Sequence, residues 1–422
     1  MEELNKDMKK DKLFYYTLLF IFFKGFCIQF LGYMDVLNLL ADILVIICAI
    51  KTPKIPFKQI TKISGKPVIY SLALFLILGV LADLLNFVSI KTVLWGVKNI
   101  IRLFLLSYAI LGRYRTLTAE SFKYFFKKMF YINILAVIID FFAGRKGDWM
   151  GGIFAGNGDL AIFLVVSLLF FTSDYMKGKL KRTYIIGIYV LTFYIAMLAE
   201  IKFLYFLIPL CLYLTYIFVR KMTVLNVLIF VLSCFFIEPV IKASLSFYYN
   251  QEYVDKIFDD DERDAYLTGD GYNLSNTDIG FNRNTCIERA QQIFLTDLQS
   301  SLIGNGLGSA SNSNTFGTWM ASQYRHTGYF FFTSSFVLIE TGWIGYILFI
   351  SIYLFIMLRF LYYYIKSKNN QEKYWAAIGT MMGILTFIFI WYNSAPYVDY
   401  YLPFMLWGFC FLGILKNKTI KK

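Results

Sequence analysis

One histidine occurs in the 422 residues, and its neighbours are of the types that do chemistry. His326 follows Arg325 and comes shortly before the run Glu340-Thr-Gly-Trp-Ile-Gly345. Imidazole is the only side chain whose ordinary pKa lies near neutrality, so it suits a general base that takes a proton from a sugar hydroxyl. The competing reading is an interfacial histidine that hydrogen-bonds its own loop. Arg283 and Arg289 lie upstream, and guanidinium groups grip phosphate oxygens in pairs, as a pyrophosphate leaving group would require. They could equally pair with Glu288 or with the Asp259–Asp264 cluster. Lys98 and Arg102 stand four residues apart, on one face of a helix, with Asp42 and Asp83 as candidate counterions; a phosphate site and a structural ion-pair network would use the same residues. The acidic run DDDERD lacks the alternating ligand spacing of a calcium loop, and a single histidine without paired loop cysteines cannot build a zinc site, so no metal and no cofactor is expected.

Apolar elements must position these groups. The chain is 58% hydrophobic, 20% aromatic and only 16% charged, which is far from the composition of a soluble domain. Hydrophobic runs of about 17–25 residues, each enough to cross roughly 30 Å of hydrocarbon as a helix, recur along it. Spans are expected at 13–32, 34–50, 67–87, 92–112, 125–143, 159–175, 183–199, 203–219, 222–241, 329–358, 374–393 and 400–415. The fold expected is therefore an all-α polytopic membrane protein of about twelve transmembrane helices, with nine spans in 1–241, a large loop at 242–328 and three spans with a short tail in 329–422.

The formal charge of +13 is a question of sidedness here, with no nucleic acid implied. With the N-terminus inside, KTPKIPFKQITKISGK and KGKLKR fall on cytoplasmic connectors, and both termini are cytoplasmic. The basic leader MEELNKDMKKDK runs into an apolar segment that contains Lys24 and has no small-residue cleavage site, so it reads as a retained first span. The outward cations are few: Lys91, Arg145, Lys146, Lys202, Lys242, Lys256, Arg263, Arg283, Arg289 and Arg325. Of the six cysteines, only Cys286 lies in the large loop, which excludes a disulfide framework.

The first half of that loop is acidic and rich in Tyr, Asp, Asn and Gly. From Cys286 to Ile303 apolar residues recur at helical spacing, predicting one amphipathic helix that ends at Gly304-Asn-Gly-Leu-Gly308.

The stretch from Arg289 through SLIGNGLGS to His326 and ETGWIG resembles the O-antigen polymerase and O-antigen ligase superfamily of bacterial envelope biogenesis. That pattern is a loop arginine, a G-x-G turn, then a histidine and E-x-G-x-x-G in the next span. GGIFAGNGDLAIFL at 151–164 is similar to the family's Gly-x-Phe turn, without its Pro-Asn, and AEIKFLYFL at 199–207 matches a Ser-Lys motif only at Lys202. The resemblance implies a fold related to the GT-C glycosyltransferases and transfer of a glycan from an undecaprenyl-pyrophosphate donor to a sugar hydroxyl. His326 would be the base, Arg289 and Lys202 would hold the pyrophosphate, Arg145, Arg283 and Arg325 would assist by position, and Glu340, Lys98 and Arg102 would support. The implied partners are lipid-linked oligosaccharide repeat units, the bilayer, a chain-length regulator and a flippase. A polymerase is favoured; a ligase with lipid A-core as acceptor and a polysaccharide flippase or other secondary transporter are the alternatives.

Overall fold

The computed structural model describes residues 11–32, 34–145, 147–220, 280–311, 317–398 and 401–419, with scattered positions between 228 and 255. The expected ninth span at 222–241 falls largely outside the described residues, and so does the acidic half of the loop with Lys256, Arg263 and the DDDERD run; Lys146 does too. Among the described residues every regular element is helical.

The chain begins with α1 (Lys12–Leu31) and α2 (Met34–Ile50), then the short α3 (Phe57–Ser64), α4 (Lys66–Leu85), α5 (Ile90–Gly112) and α6 (Ala119–Phe142). These are followed by α7 (Asn157–Met176), α8 (Arg182–Leu198) and α9 (Leu204–Val219). Local chemistry sets many of the ends. Gly32, at φ +74°, closes α1, Pro67 sits in the first turn of α4, and Ser89 and Thr118 accept the amides of Thr92 and Ser121 at the starts of α5 and α6.

Beyond the large loop come α10 (Cys286–Phe294), α11 (Leu298–Ile303), α12 (Trp319–Tyr324), α13 (Thr333–Lys366), α14 (Asn370–Tyr392), α15 (Ala395–Val398) and α16 (Leu402–Thr419). Six of the helices, α1, α4, α5, α7, α13 and α14, are long and apolar enough to cross a membrane, and four shorter apolar ones accompany them. Eleven of the twelve expected spans coincide with helices. The exposed faces are apolar: Tyr70, Leu74, Ile77, Leu81 and Leu84 form one outer stripe on α4, opposite the buried Ser71, Phe75, Ala82 and Asp83. Such a surface belongs against lipid. The chain is membrane-embedded.

At the centre lies α7, in which every residue from Leu160 to Asp174 is buried. It packs against α6, α8, α9 and α14; α13 packs against α4 and α14, and α16 against α5 and α14. The connectors sort into two ends. At one, Arg359 donates to Ile63 O (2.9 Å), Arg113 pairs with Asp11 (2.6 Å) and Lys123 with Asp174 (3.1 Å), so the lysine-rich connectors gather there. At the other, Phe26 N–H bonds Ile153 O (3.0 Å), Asn86 bonds Gly304 O (3.2 Å) and Thr333 bonds Asn393 O.

Two elements differ from expectation. The segment Cys286–Ile303 is two helices, because Asp297 accepts Ser300 N–H (2.8 Å) while Ser300 Oγ reaches back to Asp297, a reciprocal cap that restarts the chain as α11. Leu298 and Leu302, expected on a buried face, are exposed. Helix α13 is broken at Gly342, whose φ of +62° and ψ of −172° no helix contains. The limb before the break, Thr333–Gly342, is buried at every residue.

Candidate functional site at the loop end

Two of the residues expected to hold an anion, Lys202 and Arg283, lie on segments that meet at the end of α14, where four helix ends come together. Asn157 opens α7 and its side chain donates to Ala199 O (3.1 Å), tying that helix N-terminus to the turn after α8. This turn runs through Glu200, at φ +52°, and the half-buried Lys202. The next residue, Phe203, stacks on Tyr392 at the end of α14, with centroids 4.3 Å apart and an angle of 14°. Arg283 lies over the same Tyr392 ring at 4.5 Å, and its Nε donates to Tyr392 O (3.3 Å). Phe203, the residue after Lys202, and Arg283 thereby both lie against the Tyr392 ring.

Asn393 carries the arrangement to a second helix start. Its carbonyl accepts both Thr333 N–H (3.1 Å) and Thr333 Oγ1–H (2.6 Å) at the head of α13, and a Cβ added to Gly158 would lie 3.2 Å from its Nδ2. The N-termini of α7 and α13 thus converge on Asn393. The positive ends of two helix dipoles favour an anion there.

Arg283 owes its position to its flanks. Phe281 N–H bonds Thr327 O (3.0 Å), and Asn282 Oδ1 accepts the amides of Asn284 and Thr285 at the start of α10. Thr327 follows His326, so one backbone pairing holds the histidine and Arg283 on the same edge. His326 lies in a single turn of 3-10 helix, Arg325–Thr327, half-buried, and its imidazole makes no hydrogen bond with a described residue. Arg325 is exposed, and Arg289 stands half-buried in α10. Burial pushes the Cys286 thiol up to about 11, which makes it an inert packing group. Asp297 is held below the usual carboxylate range by the N–H and hydroxyl of Ser300.

Arg145 sits at the end of α6, donating to Gln29 O, with Asp140 Oδ1 at 3.9 Å and the Phe30 ring at 4.6 Å. Two residues on, a Cβ at Gly147 would fall 2.8 Å from Glu200 Oε1, so this segment borders the Lys202 turn. The Gly151–Phe154 turn is buried, with Gly152 N–H on Asp140 Oδ2 (2.7 Å) and Ile153 N–H on Asn133 Oδ1 (3.0 Å).

Two further groups stand apart from this edge. Lys98 and Arg102 both bind Asp42, at 2.7 and 2.8 Å, and Tyr401 donates to the same carboxylate. Asp83, the other expected counterion, takes no hydrogen bond and lies against Gly306, because it sits at the far end of α4 beside the loop. Glu340 is buried at the broken turn of α13, where Tyr397 donates to its Oε2. Between these two acids runs the Gly304–Gly308 turn: Asn305 N–H bonds Ile339 O (3.0 Å) and Gly306 N–H bonds Glu340 O (2.9 Å), so the turn takes up carbonyls that the break at Gly342 turns toward it. Cβ atoms at Gly304, Gly306 and Gly308 would fall 2.4, 2.2 and 2.4 Å from Glu340 C, Asp83 Oδ1 and Thr92 O, which is why glycine recurs there.

Tyr392 and Asn393 went unnoticed in the sequence. Their one signal was position, at the end of a span and before the Ser394-Ala-Pro396 interruption. Compared with known proteins, the chain is matched by no family model and by no curated protein.

Proposed function

We propose that the chain is a polymerase of bacterial surface polysaccharide that transfers a glycan from an undecaprenyl-pyrophosphate donor to a hydroxyl of a second lipid-linked repeat unit. The observation that carries this reading is the stack of Phe203 on Tyr392 with Arg283 over the same ring, which joins the Lys202 turn to the Arg283 segment beside the starts of α7 and α13. Cations, helix N-termini and a stacked aromatic platform at a helix-bundle surface suit a lipid-borne pyrophosphate with a sugar attached.

In this mechanism His326 removes the acceptor hydroxyl proton as the new glycosidic C–O bond forms. The bond from the anomeric carbon to the pyrophosphate oxygen breaks, and the polyprenyl pyrophosphate leaves with its bonding electrons. Lys202, Arg283 and Arg289 balance the charge that grows on it, Arg145 and Arg325 add to the local field, and Glu340, Lys98 and Arg102 brace the helices. The protein would lie in the bacterial inner membrane with both termini cytoplasmic and this edge facing the periplasm or exterior. A flippase would deliver its substrates and a chain-length regulator would limit its product. A ligase would use the same chemistry on lipid A-core. A secondary transporter is the second reading, favoured by one observation: a broken helix bearing a buried acid is how many transporters hold a coupling ion.

The test is glycan laddering in a deletion strain complemented with wild type, His326→Ala, Arg283→Ala or Lys202→Ala, with membrane levels of each verified. Single-repeat glycan in the deletion strain and in the variants supports the polymerase. Lipid-linked polymer that accumulates unattached indicates a ligase. Repeat units trapped on the cytoplasmic face, or full ladders from every variant, overturn the catalytic assignment.

A further inference from the structure

Two buried acids lie on either side of the Gly304–Gly308 turn. Asp83 and Glu340 are each 1% exposed. Neither forms a salt bridge with a described residue; both oxygens of Asp83 and Oε1 of Glu340 lack a hydrogen-bond partner. Among the described residues the only side-chain donor to the pair is Tyr397, on Glu340 Oε2. The amides of Gly308 and Ala310 face Glu340, but neutral dipoles do not cancel a charge. Gly306 joins the two sites, since its added Cβ would meet Asp83 Oδ1 at 2.2 Å while its N–H bonds Glu340 O at 2.9 Å. The limb Thr333–Thr341 ends here, and the C-terminal end of a helix is the negative pole of its dipole. Among the described residues the remaining titratable groups that face the pair are Tyr329 and Tyr397, with Tyr353 behind the latter, and no described lysine, arginine or histidine acts on either acid.

Two carboxylates at the end of a helix limb form a site to which no described residue brings a positive charge, and two such acids on one turn cannot both stay ionised without one. We infer that Asp83 and Glu340 together hold one monovalent cation, a proton or Na+, in the break of α13, and that this cation seats the Gly304–Gly308 turn. The donors are all oxygen, which suits a hard ion or a proton and excludes soft metals. When the cation is lost, the two acids repel and the turn between them loosens, and the loop segment that leads to His326 loosens with it. The inference stands on the buried pair alone and holds for a polymerase or a transporter.

The experiment is thermal unfolding of the purified full-length chain in detergent at pH 6 and pH 8.5, in NaCl, KCl or choline chloride of equal ionic strength. The wild type is compared with Asp83→Asn, Glu340→Gln and the double variant. If Na+ is held, the midpoint at pH 8.5 falls in choline chloride and NaCl restores it. If a proton is held, the midpoint falls from pH 6 to pH 8.5 in all three salts alike, since stability lent by a carboxyl kept protonated is lost as pH rises. In either case Asp83→Asn flattens the response. A carbodiimide that modifies buried protonated carboxyls gives a second readout: Asp83 or Glu340 is labelled at pH 6, and labelling drops at least tenfold at pH 8.5 or with Na+. A wild type whose midpoint ignores pH and salt, or shares its profile with Asp83→Asn, together with the absence of labelling, overturns the inference.

Discussion

Arg283 touches Tyr392 twice, through its plane and through Nε, so charge alone does not define its role. A lysine keeps the charge and loses the planar contact. Arg283→Lys is therefore expected to retain a short ladder where Arg283→Ala retains none, and Arg283→Ala should cost about 2 kcal/mol of stability in a denaturation series, from a stacked cation and a charged hydrogen bond. Removal of a general base lowers rates roughly 10²–10⁴-fold, and His326→Ala should fall in that range with unchanged expression, because no described partner depends on its imidazole. Lys177 shows the opposite case, a cation at the basic end whose charge is disfavoured. It lies 3.4 Å over the Tyr374 ring, and burial, followed by repulsion from Lys123 and Lys179, lowers its pKa to about 8. Below that value the folded chain carries the cost of charging it, and stability should rise from about pH 8 toward the ordinary lysine range. Lys177→Met should remove that rise, and an amine-acylating reagent at pH 8 should modify Lys177 ahead of the other exposed lysines. His326, Arg283 and Lys202 were readable as types from the sequence, since histidine is unique and guanidinium chemistry is specific. Their neighbours were not, because Tyr392 and Asn393 act through a stacking geometry and a carbonyl that no residue pattern announces.

At the scale of elements, periodicity found the helices and missed their interruptions. The run 333–366 is mostly apolar and glycine is common in membrane helices, so nothing in it separates a break at Gly342 from a passenger glycine. The break follows from two positive-φ backbones that meet, Gly342 and Gly304, each against the other's chain: a Cβ at Gly342 would stand 2.5 Å from Ile303 N. Gly342→Ala and Gly306→Ala should each cost about 1–3 kcal/mol from backbone conformation alone, with a similar penalty from overpacking. Gly317→Ala, which has open space around it, should be near neutral. Chemical denaturation of the four proteins checks the order. The split of Cys286–Ile303 was hidden for another reason: the apolar spacing continues across it, while the Asp297–Ser300 cap that breaks it is a three-residue signal inside a longer pattern.

Across the whole molecule, membrane embedding was legible in composition, and charge predicted which connectors belong together. The contacts of Arg359 with Ile63 and of Arg113 with Asp11 join segments distant in sequence at a single basic end. Single cysteines at Phe57 and Trp149, both exposed and at opposite ends, should therefore differ in labelling by an impermeant thiol reagent applied to intact cells, with Trp149→Cys labelled and Phe57→Cys protected until the membrane is opened. Equal labelling would reverse or dissolve the sidedness. The limb Thr333–Gly342 bears on how the chain is made. It offers no face to lipid, so it gains nothing from entering the bilayer alone, and elements that touch it, the end of α14 through Asn393 and α15 through Tyr397, are synthesised after it. During biogenesis this limb must wait outside the bundle until the ribosome has passed residue 392, which makes it a late-docking segment and makes chains truncated before α14 natural clients for membrane quality control.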